Sequence, residues 1–512
     1  MNPGRALLVL SGLTIAAGGA PPAPPAVCAV APRLAELRKW NESRGDTWDP
    51  FWADDGLLYS FNCDGPGFGP RGQKRNLAFN RFRGDRLAEL TGELVNAMTE
   101  YGAENETGPD GATWKACGAE CFDGIFYAFV ARNVYGHSSG DPWLRQTSRN
   151  CSLIKSADRG RTWTRAAQVN LDSPMWPADA FGAPGFFHYG QDGGSVTQDG
   201  AAVYAYALSN DGYWNGGDSY RLGRVRRTRL PQLRAADWEY FRGGDGAIAT
   251  AWTSDAAQAR PVLSAERGCG WTAPTFVPAL TCYLLVAWSI EPPLTKWFEP
   301  SRVHYAFHTA PHPWGPWERV GTMDDSFLVG DHLYGPTACA RFQEVVPGGV
   351  KVWIFNSGCP FGSSVLSPYK AIAFPVILRT RALPRLRDLA ADAPEITPGR
   401  DGLTVAFRGT AVEVLADRTA VSGELSIELD GRPAEQVVLA QHDFVRLQRI
   451  PVFLAENLAD HGHELRLRFS RPEDAIHVVV RIPSAGPDAS AAGRARADGD
   501  PEPDPTRRAP PG

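Results

Sequence analysis

The side chains in this chain that could do chemistry cluster at the starts of a recurring strand pattern. Asp46, Asp49, Lys115, Asp179, His332 and Tyr334 open or precede apolar runs, and Glu120 lies within one. Carboxylates beside a His, a Tyr and a Lys are the groups that general acid–base chemistry uses. Trp48, Trp114, Phe181 and Trp271 share those strand starts, and aromatic faces are surfaces on which sugar rings stack. His188 and Gln191 lie deeper in the third run and join them as binding candidates. The expected catalytic set is therefore Asp49, Asp179, Glu120, Lys115, His332 and Tyr334. Plainer roles exist for most: Asp49 before Pro50 would cap a strand, Lys115 would be a solvated rim residue, Glu120 would sit in a buried ion pair, and His332 or Tyr334 would pack through hydrogen bonds.

The elements that must gather these residues are hairpins. Asp46 to Cys63 reads as two aromatic-rich strands folded back at Asp54-Asp55-Gly56, and Asp-Gly between such runs is a strong hairpin signal. The pattern returns at Lys115 to Val130 around Asp123-Gly124 and at Gly182 to Tyr206 around Asp199-Gly200. It returns again at Trp271 to Val286 and at Tyr334 to Phe355, at a spacing of roughly 65 residues. Repeats of several strands at such periods point to propeller blades, so the sequence predicts an all-β chain with a five-bladed β-propeller. Inner strands of a propeller begin at one mouth of its channel, where the candidates above would converge. Asp54, Asp55 and Asp123 belong to turns at the other end and are expected to be structural.

Residues 1–30 read as a signal peptide and Pro-rich leader, with Arg5 before an apolar run from Ala6 to Ala17 that is too short to span a bilayer. The propeller is expected over 40–380 and a small antiparallel, jelly-roll-like β-sandwich over 394–484. A Pro, Asp, Arg and Ala tail over 485–512 is expected to be disordered. Secreted or periplasmic placement follows from the leader. Removing Cys28 with it would leave eight of nine cysteines, and an even count in an exported chain predicts disulfides. Cys117 and Cys121 have no matching Cys/His pair for a metal site. No cofactor is expected, although a propeller channel could hold a structural cation. A net charge of −5 over 512 residues argues against nucleic-acid partners, and no membrane partner is expected after signal removal. Sixteen Trp against four Met suits either packed blades or a carbohydrate partner.

Ser156-Ala-Asp158-Arg-Gly160-Arg-Thr162-Trp163 resembles the Asp-box of sialidases and related propellers, a local hairpin motif with a structural role. Trp48 to Tyr59 with Cys63-Asp64-Gly65, Phe181-Gly182-Ala183-Pro184, Tyr220 to Val225 and Trp238 to Phe241 together resemble propellers grouped as domain of unknown function 4185. The resemblance spans most of 45–380. Some members of that group are endo-acting arabinan hydrolases, which implies glycan cleavage. Asp49-Pro50 is also similar to the base motif of family 43 glycosidases, whose acid lies in a Glu-Gly-Pro motif on blade three. Here that place holds Phe181-Gly182-Ala183-Pro184, without a carboxylate.

Three readings follow. A glycoside hydrolase would use Asp49 as base or nucleophile with Asp179 or Glu120 as acid. A polysaccharide lyase would neutralise a uronate with Lys115 and move a proton through Tyr334 or His332. A glycan-binding propeller would stack sugars without paired acids. The hydrolase is favoured.

Overall fold

A computed structural model describes residues 26–484 except 74, 104–105, 107–111, 135–144, 167–174, 177–180, 195–202, 292–301, 330–331, 359–368, 383 and 441–445. The chain is all-β: five antiparallel sheets form the blades of a propeller, and two further sheets form a sandwich behind them.

Blade one runs through Arg44–Asp46 and Phe51–Trp52, then Leu58–Gly67, Leu77–Arg83 and Thr91–Asn96. Blade two is Thr113–Phe122, Ile125–Val134, Thr147–Ser156 and Thr164–Arg165. The core of blade three is Gly185–Phe186, Tyr204–Asn210, Gly217–Arg226 and Trp238–Phe241, and blade four runs from Thr275–Val277 to Glu318–Asp324. Blade five holds Leu333–Val346, Gly349–Gly358 and Ala371–Arg379. Its outermost strand comes from the other end of the chain: Ala29–Pro32 pairs antiparallel with Ala371–Arg379 and closes the ring. The fifth sheet thus begins at residue 29, within the stretch read as leader. A leader removed through residue 30 would cut this strand.

The turns follow the local chemistry. Asp123 and Gly124 both take positive φ, 53° and 72°, as a two-residue hairpin of this hand requires. In the Ser156–Trp163 hairpin, Asp158 accepts hydrogen bonds from Ser156 Oγ at 2.7 Å, Thr162 N at 2.9 Å and Thr162 Oγ1 at 2.6 Å. Trp163 from the same turn packs on Phe61 and Phe79 of blade one, with ring centroids 5.2 and 5.1 Å away. Such pairs add about 0.5–1.5 kcal/mol each beyond burial. Arg159 reaches the other way to Asp54 and Asp55, at 2.8 and 2.5 Å. The acidic turn at the far end of blade one is therefore a docking point for blade two.

The sandwich packs Leu386–Asp388, Val478–Pro483, Ala411–Thr419 and Arg446–Glu456 against a second sheet that includes Gly402–Arg408 and Gly462–Phe469. Alternation such as exposed-buried along Gly462–Phe469 is the half-buried strand pattern. It joins the propeller through backbone bonds, Gln448 N to Phe327 O at 2.8 Å and Val329 N to Arg446 O at 3.2 Å. One apolar cluster runs continuously from blades four and five into it.

Among the described residues, Cys28, Cys63, Cys117, Cys121, Cys151, Cys269, Cys282 and Cys339 carry free thiols, so the expected disulfides do not form among them. Some are engaged otherwise. Cys63 Sγ accepts Ala116 N at 3.3 Å across blades one and two, and Cys121 Sγ lies 3.1 Å from Asp192 Oδ1. Cys359 and the 485–512 tail lie outside the described residues. No helix among the described residues is long and apolar enough to cross a membrane.

Candidate active site

The first cluster is built on the opening of blade one and its facing strand, where the backbone leaves ordinary strand geometry. Gly45, Thr47 and Asp64 have φ of 122°, 57° and 50°. Positive φ at a β-branched Thr is costly and persists only where surroundings impose it. Here Thr47 N donates to Ser357 Oγ of blade five at 2.6 Å. On the facing strand, buried Asn62 donates to Gly65 O at 2.9 Å and accepts from Asn80 Nδ2 at 2.8 Å. A Cβ on Gly45 would lie 2.3 Å from that Asn62 amide, so only glycine fits. The result is that Asp46, paired with Cys63 in register, and Asp64 next to it belong to one cluster.

That cluster draws on three inner strands. Lys115 of blade two forms an ion pair with Asp64, and Tyr334 of blade five donates to Asp46 Oδ2 at 2.6 Å. Tyr369 also hydrogen-bonds Asp46. Burial first, then the Asp64 carboxylate, push the Asp46 pKa up to about 6, against the pull of Lys115, Tyr334 and Tyr369. Two carboxylates thus sit in unlike surroundings, one paired with an ammonium and one whose pKa is raised toward neutrality. Such separation of roles is what acid–base catalysis requires.

A second constellation joins blades one, two and three. His188 of blade three stands between Asp49 of blade one, with Nε2 to Oδ1 at 2.8 Å, and Glu120 of blade two, with Nδ1 to Oε2 at 2.9 Å. All three side chains are at most 5% exposed. Burial by itself would lower the His188 pKa, but the two carboxylates push it up to about 10, so the ring is an imidazolium at neutral pH. Burial raises Glu120, with the hydrogen bond and charge of His188 opposing it. The three groups join blades one, two and three.

The candidates are therefore separated. Lys115 and Tyr334 join Asp46, whereas Asp49, Glu120 and His188 form a second cluster. His332 stands just before the first strand of blade five and is held through Nδ1 by buried Asp325 Oδ2 at 2.9 Å. Asp179 lies outside the described residues. Trp48, Phe181 and Trp271 are at most 1% exposed and fill the blades. Trp271 stacks on Trp214 at 5.0 Å, and Phe181 packs with Trp176, Trp238 and Tyr240. Gln191 is exposed at the far end, where its Nε2 donates to Asp54 O at 3.1 Å. Trp114 lines a cavity of about 520 Å³, with Arg132 4.8 Å over its ring.

Sequence reading passed over Asp64 and Tyr369 as chemistry. Asp64 sits in the Cys63-Asp64-Gly65 step, where Asp before Gly inside an apolar strand signals irregular backbone. Among the described residues, no group of three or more His, Cys, Asp or Glu side chains is arranged to hold a metal ion.

No protein-family model and no curated protein matches the sequence. Among solved structures, the chain is similar to a family 43 arabinoxylan arabinofuranohydrolase from Bacillus subtilis, at 11% identity and a TM-score of 0.36, covering 86% of this chain and 95% of that one. It is similar to a fructofuranosidase from Schwanniomyces occidentalis at 9% identity and a TM-score of 0.39, covering 88% and 98%. A xyloglucan-locus family 43 protein from Bacteroides ovatus gives 11% identity and a TM-score of 0.33, covering 87% and 98%. These likenesses bear on neither substrate nor residue roles, and the blade count rests on the strand pairing above.

Proposed function

We propose that the protein is a glycoside hydrolase acting at the channel mouth, with Asp46 as general acid and Asp64 as the second carboxylate. The observation that carries this is the Asp46–Asp64 cluster: a carboxyl pushed up to about 6 beside one paired with Lys115. Protonated Asp46 would donate to the leaving oxygen, and ionised Asp64 would activate water or attack the sugar. The Asp49–His188–Glu120 clasp beneath would fix the inner strands rather than react. Export, as the leader suggests, would bring such an enzyme to its polymer.

One contact favours a second reading. Tyr334 donates to Asp46, and Lys115 lies in the same cluster; a lyase would use the phenol as base and the ammonium against a uronate. The test is a glycan panel that includes arabinan and polygalacturonate, run with wild type, Asp46→Asn and Asp64→Asn. New reducing ends without unsaturated uronate absorbance, lost in both variants, support the hydrolase. Unsaturated-uronate absorbance that survives Asp64→Asn and vanishes in Tyr334→Phe moves the assignment to a lyase. Binding without cleavage of any glycan leaves a binding propeller.

A further inference from the structure

The cavity of about 520 Å³ beside Trp114 lies where the end of blade one meets blade two. After the strand Thr91–Asn96 the chain turns through Thr99–Tyr101, and this turn lines the cavity together with Trp114 and Arg132. Trp114 on Thr113–Phe122 and Arg132 on Ile125–Val134 are directly opposed across the strand pair, which places the guanidinium over the indole. Tyr101 meets the same indole edge-on, with ring centroids 5.5 Å apart at 83°. Arg165 in turn stands 4.6 Å over the Tyr101 ring. Tyr101 and Arg132 are buried, Arg75 and Trp114 are half-buried, and Glu100 and Glu106 are exposed. The lining thus grades from an aromatic and cationic base to an acidic rim.

That set of groups selects a class of ligand. An indole held from two sides is a rigid apolar wall, and aromatic faces are surfaces on which sugar rings stack. A sugar hydroxyl both donates and accepts, so it can give to a carboxylate and take from a guanidinium. Arg75 and Arg132 are matched in number by Glu100 and Glu106. Balanced charge gives no net attraction for a polyanion or a polycation, whereas an uncharged polyhydroxyl ring meets both kinds of partner.

Hydrogen bonds tie the cavity to the Asp46–Asp64 cluster. Asp64 N donates to Asn76 O at 3.0 Å, while Asn76 N donates to Gly102 O at 3.2 Å and Asn76 Nδ2 to Tyr101 O at 2.9 Å. Backbones bridged in this way lie about 4.8 Å apart, so Asn76 alone stands between Asp64 and the cavity wall at Tyr101 and Gly102. On blade two, Trp114 immediately precedes Lys115, the ion-pair partner of Asp64. We propose that the Trp114–Tyr101 cavity is a subsite for an uncharged sugar residue, a short way along the chain from the bond cleaved. This rests on the Asp46–Asp64 cluster being the reacting site. It narrows the substrate class to a polymer with a neutral sugar flanking that bond.

Binding is read apart from cleavage by titration calorimetry with full-length Asp46→Asn protein, and with wild type for glycans it leaves intact. The probes are arabinan, arabinoxylan and galactan as neutral glycans and polygalacturonate as the acidic one. At least one neutral glycan should bind more tightly than polygalacturonate. Trp114→Ala should weaken that binding about tenfold, Glu100→Gln about threefold, and Trp114→Phe should keep most of it. On a glycan that is cut, Trp114→Ala should raise KM about fivefold with kcat little changed, as lost uniform binding does; a damaged fold would lower kcat instead. If Trp114→Ala folds poorly, Glu100→Gln decides, because Glu100 is exposed. Failure of every neutral glycan to bind, tightest binding of polygalacturonate, or indifference to both Trp114→Ala and Glu100→Gln would overturn the subsite. A neutral glycan cut by wild type yet bound equally by both variants removes the subsite and leaves the hydrolase. Binding that depends on Trp114, without cleavage of any glycan, upholds the cavity as a sugar site and removes the hydrolase.

Discussion

Tyr334 donates its phenolic hydroxyl to Asp46 at 2.6 Å across 288 residues of sequence, joining blade five to blade one. Beside it, Ser357 of blade five accepts the Thr47 amide at 2.6 Å. The candidate acid is thus held at the seam where the ring closes. Its protonation depends on blade five as much as on its own strand.

That dependence gives a pH prediction. A general acid must be protonated, so kcat/KM should fall as pH rises through about 6, the Asp46 value. The Tyr334 hydrogen bond stabilises the ionised form and lowers this pKa. Tyr334→Phe should therefore move the alkaline limb upward, by roughly half a unit to one unit. Asp64→Asn removes a charge that raises it, so the Asp46 carboxyl should titrate lower, read by carboxyl infrared bands. A limb that stays put in Tyr334→Phe would remove Asp46 from the acid role.

The buried clasp makes a stability prediction. Taking away one partner of a buried charge pair costs about 3–5 kcal/mol, because the remaining charges stay uncompensated. His188→Ala should lower urea stability by that order, with Asp49→Asn falling less because Glu120 still pairs the ring. The His188 value is raised in the fold, from 6.5 to about 10. Its stabilisation is complete below pH 6.5 and is lost as pH rises through about 10. Glu120, also raised, adds a loss in the same direction just above its ordinary range. Wild type should lose stability between pH 7 and 10 and His188→Gln should lose much less; parallel curves would mean the imidazolium contributes nothing.

The Ser156–Trp163 hairpin should affect stability without touching the chemistry. Although partial burial raises Asp158, its bonds from Thr162, Ser156 and Arg161 hold the carboxyl below the ordinary value. Asp158→Ala removes those acceptors from an exposed turn, at a cost of about 1–2 kcal/mol. Gly160→Ala should cost more, since its φ is 82° and a Cβ would lie 2.0 Å from the Phe79 ring. Chemical denaturation reads both, and kcat on any cleaved glycan should be unchanged in Asp158→Ala.

Much of the architecture was legible because it is written in local signals. Asp54-Asp55-Gly56 and Asp123-Gly124 set hairpin turns, and alternation along Gly462–Phe469 set the sandwich strand. The closing strand Ala29–Pro32 left no such mark: four residues that resemble a leader pair with Ala371–Arg379 only because the ring must close. The site was half legible. Lys115 and Tyr334 follow from their places at strand starts, but which candidates meet does not. Asp46 and Asp49 are three residues apart, yet one meets Tyr334 of blade five and the other His188 of blade three. The left-handed turn at Thr47 separates them, and nothing in Asp-Thr-Trp-Asp announces it.

Thr47 itself supplies the last test. A Thr at φ 57° stores strain of about 1–3 kcal/mol, and glycine adopts that conformation freely. Yet the strained turn is what sends Asp46 toward Tyr334 and lets the Thr47 amide reach Ser357 Oγ at 2.6 Å. Thr47→Gly should relieve the strain but free the chain before folding, so stability should change by less than about 1 kcal/mol in either direction. Activity should drop by at least tenfold through kcat, since a loosened acid misplaces its proton. Thr47→Ala, which keeps positive φ without the β-branch, should retain most of the rate. If Thr47→Gly loses stability heavily and keeps its rate, the turn serves ring closure and has no part in placing Asp46.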